Sequence, residues 1–253
     1  MSKRFFLVII GMMSLVVSSL SSAQALEEMP VITLNDSNKE PFTTKDKDGF
    51  LDIVLTEAFH RIGFRLNTVH LPPERGLLSA NEGIVDGEVN RIIGLDNIYK
   101  NLRRVPEKVR DSEFCALSKN PAIVNTPDEL NKQVVGHIKG WKIYEKMMVG
   151  SKRVITAHSP EQLFRLLKIN RIDVALYDCV EGLDIAKRFN INELYILEPE
   201  FDQTELFLYL NKRYVGLVSK LSKALRDIKE EGLYDNLYRE KILPYYKNRK
   251  KPY

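Results

Sequence analysis

Cysteine, histidine and tryptophan are scarce in this 253-residue chain, with two, four and one copies. His60, His70, His137 and His158 stand apart. No HExxH pair, closely spaced cysteine pair or G-x-S-x-G motif occurs, so no metal, cofactor or catalytic constellation is expected. No internal repeat or low-complexity tract is present. Beyond the N-terminus no apolar run reaches the roughly 20 residues that span a bilayer. An excess of one charge is missing too. The chain carries 38 Lys and Arg against 34 Asp and Glu, a net +4, which gives no basis for a nucleic-acid partner. The basic run from Lys247 to Lys251 is explained by a solvated tail at least as well as by binding.

What is present begins with an export signal. Lys3 and Arg4 precede a largely apolar stretch from Phe5 to Leu20, broken by Gly11 and a few serines. Ala23-Gln24-Ala25 then reads as a small-residue cleavage site, the grammar of a secretory signal peptide. The rival is an uncleaved N-terminal anchor, but the apolar stretch is short for a span. No cysteine follows the cleavage site to carry a lipid. The expected mature chain starts near Leu26 and works in the periplasm. In that oxidising compartment Cys115 and Cys179 can bridge or remain two buried thiols. The sequence leaves both open, because it does not show whether their Cα atoms come close enough. No His or Asn can be tied to either thiol.

The pattern along the chain is that of an α/β protein. Val31 to Leu34 reads as a strand. Leu51, Val54, Leu55, Ala58, Phe59 and Ile62 form one helical stripe, stopped by Gly63. Phe64 to Leu71 is a second strand, Arg75 to Asn81 a short helix, and Gly83 to Gly87 a strand ending in a turn. That alternation predicts a parallel sheet. Further on, Phe114 to Leu117, Val134 to Ile138 and Ile172 to Tyr177 read as strands. Thr126-Pro127-Asp128-Glu129 and Ser159-Pro160-Glu161-Gln162 both read as helix starts, with the cap followed by a first-turn proline. Gly140-Trp141 leads into a helix over 142–148, a place where backbone N–H groups can meet an anion. Val215, Val218, Leu221, Leu225 and Ile228 form a terminal helical stripe. Gly232 follows it, and a last helix runs from Leu233 toward Pro244.

Two segments stand out together. One runs from Gly49-Phe50-Leu51-Asp52-Ile53 through Pro72-Pro73-Glu74-Arg75-Gly76 to Gly83-Ile84-Val85-Asp86-Gly87. The other joins Ser159-Pro160-Glu161-Gln162-Leu163-Phe164 to Asn170-Arg171-Ile172-Asp173-Val174-Ala175-Leu176-Tyr177-Asp178. With Pro41-Phe42 and Gly232-Leu233-Tyr234, these resemble the extracellular solute-binding proteins that serve polar amino-acid ABC importers, over nearly all of the mature chain. The resemblance implies a two-lobed periplasmic-binding-protein-like clamshell with two crossover strands. Lobe one would hold 26–115 and 206–253, and lobe two 116–205. It implies a monomer that binds a small polar solute, an amino acid or a related compound, and docks to an inner-membrane ABC permease or a sensor receptor.

In that family an Arg of lobe one clamps the ligand carboxylate and an Asp after a lobe-two strand receives its ammonium. Asp178 matches the Asp. The usual Thr-x-x-Arg motif is absent, and Arg91, just past Asp86-Gly87, is the substitute. The usual Gly-Thr of lobe two is Gly140-Trp141 here, a departure from standard amino-acid recognition. Phe42 and Trp141 are the expected aromatic walls, and Arg75 is a further cleft candidate. For each of these residues core packing, capping or a surface pair is the competing explanation. A periplasmic enzyme such as a dehydratase on the same fold is the rival function.

Overall fold

The computed structural model describes residues 29–201 and 203–246. The expected signal peptide with its cleavage site near Ala25, and the basic tail from Lys247, lie outside them.

Val31–Asn35 (β1), Phe50–Arg61 (α1), Arg65–Val69 (β2), Pro73–Glu82 (α2) and Gly87–Ile92 (β3) open the fold. The α1 stripe buries Leu51, Val54, Leu55, Ala58 and Phe59 against Ile32 and Leu34 of β1. Gly49 caps α1 without a side chain. Asp52 makes the reciprocal half of a capping box, accepting the N–H groups of Gly49 at 3.1 Å and Thr44 at 2.9 Å, where a carboxylate also suits the helix dipole. The strand expected at 83–87 lies later. Gly83 adopts φ 79° to close α2, a conformation that favours glycine. Asp86 accepts the N–H of Thr33 at 2.7 Å. Residues 84–86 are thereby held as a loop, and the strand begins at Gly87.

Leu102–Ser112 (β4) was not anticipated. Its buried Leu102, Val105 and Val109 recur at three and four, a helical spacing, yet it pairs antiparallel with Thr204–Asn211 (β10) through register shifts. The first shift adds one residue on β4 and the second adds two, which is how such irregularities defeat a period-two pattern. The first sheet has the order β2-β1-β3-β10-β4.

The chain then enters a second sheet. Phe114–Ser118 (β5), Pro127–Leu130 (α3), Val135–Ile138 (β6), Lys142–Met147 (α4), Val154–Ala157 (β7), Pro160–Lys168 (α5), Val174–Asp178 (β8), Cys179–Arg188 (α6) and Tyr195–Ile196 (β9) give the order β7-β6-β8-β5-β9. The predicted caps form: Thr126 accepts the N–H of Glu129 and Ser159 that of Gln162. Every residue of β8 is buried, because helices cover both faces of this sheet. Leu163, Phe164 and Ile185 lie in one core cluster, and Leu130, Tyr144 and Leu176 in another.

The chain passes between the sheets twice, at 112–114 and at 196–204. It finishes on the first sheet with Val218–Glu230 (α7), Leu233–Lys241 (α8) and Leu243–Tyr246 (α9). Leu221, Leu225 and Ile228 pack into the α1 cluster. Val215 leaves the expected stripe: it stands exposed in the 3-10 turn Lys212–Leu217. Two α/β lobes joined by two crossings make a clamshell.

Cys115 and Cys179 are bridged, with Cα atoms 5.2 Å apart. Both lie in the second lobe, one in β5 and one at the start of α6. The bridge braces the base of that lobe beside a crossing and does not span the hinge.

Candidate functional site

The carboxyl ends of β1 and β3 face the N-terminal ends of α4 and α6 across the gap between the lobes. The lobes are drawn together there. Lys142 Nζ reaches Glu74 Oε2 at 2.6 Å, Lys39 Nζ reaches Glu161 Oε1 at 3.4 Å, and the Lys39 N–H donates to Glu181 Oε1 at 3.1 Å. Gly140 takes φ +89° against the start of α2, and a Cβ there would sit 2.7 Å from the Cα of Glu74. Only glycine permits both the dihedral and the approach. Between these contacts lies a cavity of about 40 Å³, walled by Asn38, Asn90, Arg91, Arg110 and Leu206 of the first lobe and by Phe114, Trp141 and Lys142 of the second. Asn38 also borders an open groove of about 520 Å³ edged by Lys39, Lys47, His70, Glu161 and Arg188, charges of both signs.

Arg91 is aimed by a backbone irregularity. Opposite β10, the register steps from Glu88↔Tyr209 to Arg91↔Phe207, three residues on β3 against two on its partner. Asn90, with φ 68°, occupies this bulge in a conformation Asn tolerates better than most residues. The extra residue brings Glu88 and Arg91 to the same side. Arg91 Nη2 and Nε lie 2.6 and 2.7 Å from Glu88 Oε2, and Nη2 also donates to the Pro73 carbonyl at 3.3 Å. Asn35 Nδ2 completes Glu88 from behind at 2.8 Å. Burial pushes the Glu88 carboxyl up to about 7, against the opposing pull of Arg91 and Asn35.

Asp178 ends β8, as expected, but does not line the cavity. It caps α6: Oδ1 accepts the N–H groups of Val180 and Glu181 at 3.0 and 3.1 Å. Its Oδ2 accepts from Arg110 Nη2 at 2.9 Å and from the Ser112 hydroxyl at 2.7 Å. Both oxygens are thus used, and the expected reception of a ligand ammonium finds no open lone pair here. Arg110, which the sequence reading missed, joins the lobes through this pair. Its guanidinium lies 3.7 Å from the centre of the Phe42 ring, a cation–π geometry. The amide of Asn90, with its oxygen toward Arg110, accepts from Nε and Nη2 at 3.0 and 3.1 Å. Phe42 is buried beneath Arg110 and does not itself face the cavity.

Trp141 does face it, stacked on Tyr177 at 4.6 Å and edge-on to Phe114 at 5.9 Å. Gly140 lines it as well. Arg75 does not: it is exposed on a separate groove with Leu78, Lys139 and His158. The structure therefore gathers Arg91, Gly140 and Trp141 at the cavity, sets Asp178 and Phe42 behind Arg110, and leaves Arg75 outside. Asn38, Asn90, Arg110 and Lys142 join the site. A local signal existed for Asn90, a turn-former in the middle of a strand segment. None existed for Arg110, whose partner is 68 residues away. Among the described residues no group of three or more His, Cys, Asp or Glu is placed to hold a metal ion, and no helix is long and apolar enough to cross a membrane.

Solved structures of this architecture are numerous. A histidine kinase sensor domain with similarity to periplasmic binding proteins superposes with a TM-score of 0.73 at 13% identity, over 85% of this chain and 96% of that one. The chain has the two-lobed fold of periplasmic binding proteins. A mutant of ArgBP from T. maritima gives 0.72 at 16% identity, over 85% and 98%. An ABC uptake transporter substrate-binding protein from Streptococcus pneumoniae with bound histidine gives 0.71 at 17%, over 84% and 92%. At these identities the likeness is one of fold. An uncharacterised protein of Shewanella oneidensis is 25% identical over 237 residues, covering 85% of this chain and 87% of its own. No family model matches the chain.

Proposed function

We propose that the protein captures one small polar solute between its lobes and presents the closed form to a membrane partner. The observation that carries this reading is the cavity at the interlobe seam, with a buried guanidinium, Arg91, on one wall and an aromatic, Trp141, on the other. A pocket of this make-up combines an apolar wall with a few convergent polar groups, and two crossings allow the lobes to swing around it. Arg91, Trp141, Gly140, Asn90 and Arg110 are the proposed contacts. Asp178 and Phe42 act through Arg110. The division expected from the sequence, 26–115 with 206–253 and 116–205, is kept with its first boundary moved to the crossing at 112–114, because β5 belongs to the second sheet.

The partner is an inner-membrane ABC permease, and the protein works as an exported monomer in the periplasm, released by cleavage near Ala25. The likeness to transporter binding proteins supports this. A sensory role has one observation of its own, the likeness to a kinase sensor domain. Passive capture is favoured over turnover because the neighbours named above are binding and sensor proteins. Isothermal titration against amino acids and small carboxylates tests capture. Saturable binding that Arg91→Ala abolishes is expected, and no binding by folded protein contradicts it. Mass spectrometry of the recovered solute separates binding from turnover. Loss of uptake on gene deletion favours transport, whereas co-purification with a sensor and no permease favours signalling.

A further inference from the structure

We propose that the cleft takes a small monocarboxylate that lacks an α-ammonium group, because Arg110 already fills the place a ligand cation would occupy. This rests on the capture reading above and narrows it.

The charges around the cavity divide by position. Its wall carries Arg91, Arg110 and Lys142 and no carboxylate. The carboxylates nearest this wall stand behind these cations and are occupied, while Asp36 borders the outer groove and holds Asn38 through Oδ1. Glu88 is held by Asn35 and Arg91, Asp178 by four donors, and Glu74 and Glu145 both by Lys142. An ammonium entering this space would be desolvated beside three cations with no carboxylate on the wall to receive it, an arrangement whose cost is not recovered. Arg110 does what such an ammonium would have done. It lies over Phe42, bonds Asn90, and reaches across the seam to the carboxylate of Asp178. The ion pair is built from the chain itself, so the solute need not supply it.

The same count points to a single carboxylate. Lys142 is shared between two glutamates and Arg110 is committed to Asp178 and Asn90. Arg91 spends Nε and Nη2 on Glu88 and Pro73, while its Nη1 has no hydrogen-bond partner among the described residues. The rest of the wall, from Ile92, Phe114, Trp141 and Leu206, suits an apolar body. The cavity of about 40 Å³ holds roughly three waters, which favours a short one.

The test uses matched probes on the folded protein by isothermal titration: propionate against alanine, isovalerate against valine, with succinate, aspartate and glucose alongside. The expected result is that a monocarboxylate binds at least tenfold tighter than its α-amino partner. Arg110→Met, which uncovers Asp178, shrinks that ratio at least tenfold, and Arg110→Lys, which keeps a cation, preserves the preference. Should the Met variant not fold, the wild-type ratio and the Lys variant decide. Alanine or valine binding as tightly as its carboxylate overturns the proposal, as does binding of succinate, aspartate or glucose alone; either leaves cleft capture standing. Binding of no probe, or binding indifferent to Arg91→Ala, removes both.

Discussion

Glu88 and Arg91 are three residues apart in a strand, a spacing that ordinarily sends side chains to opposite faces. The bulge at Asn90 cancels that rule and makes a clamp from residues that alternation would separate. Asn90→Val forces a β-branched residue into φ 68°. It is expected to cost about 1–2 kcal/mol in urea unfolding and to weaken solute binding as well. Arg91→Ala should weaken binding by about 2–5 kcal/mol, since the solute charge is left buried and unpaired. Asp178→Ala belongs to a different class. It strands Arg110 and uncaps α6, so the expected loss is about 3–5 kcal/mol of folding stability, read by denaturant titration. Unchanged stability would show the pair to be dispensable. At this scale the sequence reading located Arg91 and Asp178 by position along the chain. Their partners were out of reach, because a buried Arg can be seen to need a counter-charge but not which of 34 acidic residues provides it.

Helix α6 joins the lobes through its first turn, where Glu181 accepts the Lys39 N–H from the other lobe and the Tyr177 hydroxyl at 2.6 Å. Burial pushes this carboxyl up to about 8, and the charge of Asp178 adds to the rise, against Arg110, the Tyr177 hydroxyl and the Lys39 N–H. A carboxyl whose proton is held more tightly in the folded state stabilises while protonated. That contribution is complete below its ordinary value of 4.5 and is lost as pH climbs through about 8. Glu88 acts in the same direction, through about 7. The melting temperature should therefore fall between these limits, and Glu181→Gln should flatten the upper part of the fall. A wild-type profile that rises over that window would refute the assignment. Elements were legible where they announce themselves locally: α1 by its stripe, α3 and α5 by cap and proline. Helix α6 was not assigned, although capping was one of the two explanations weighed for Asp178, which is its N-cap. Strand β4 was missed because its bulges give three-and-four spacing to a chain that is extended.

At the scale of the molecule, the alternation of strands and helices pointed to an α/β protein, and family resemblance pointed to two lobes. Nothing in composition says how far a clamshell is closed, since closure depends on tertiary pairs such as Lys142–Glu74. The Cys115–Cys179 bridge closes a loop with a sequence separation of 64, which in the chain-entropy account contributes about 4 kcal/mol. Intact mass under non-reducing conditions should show no alkylatable thiol, and the Cys115→Ala, Cys179→Ala pair should lose stability on that order. Two free thiols in the non-reduced protein would contradict the pairing.

Trp141 is the only tryptophan in the chain, and it forms part of the cavity wall. Its emission therefore reports on the seam between the lobes without any label. Titration with a solute that binds by calorimetry should change Trp141 fluorescence saturably, with the same midpoint, and Arg91→Ala should abolish both signals together. Calorimetric binding that leaves Trp141 emission unmoved and survives Arg91→Ala would place the solute elsewhere and contradict capture between the lobes.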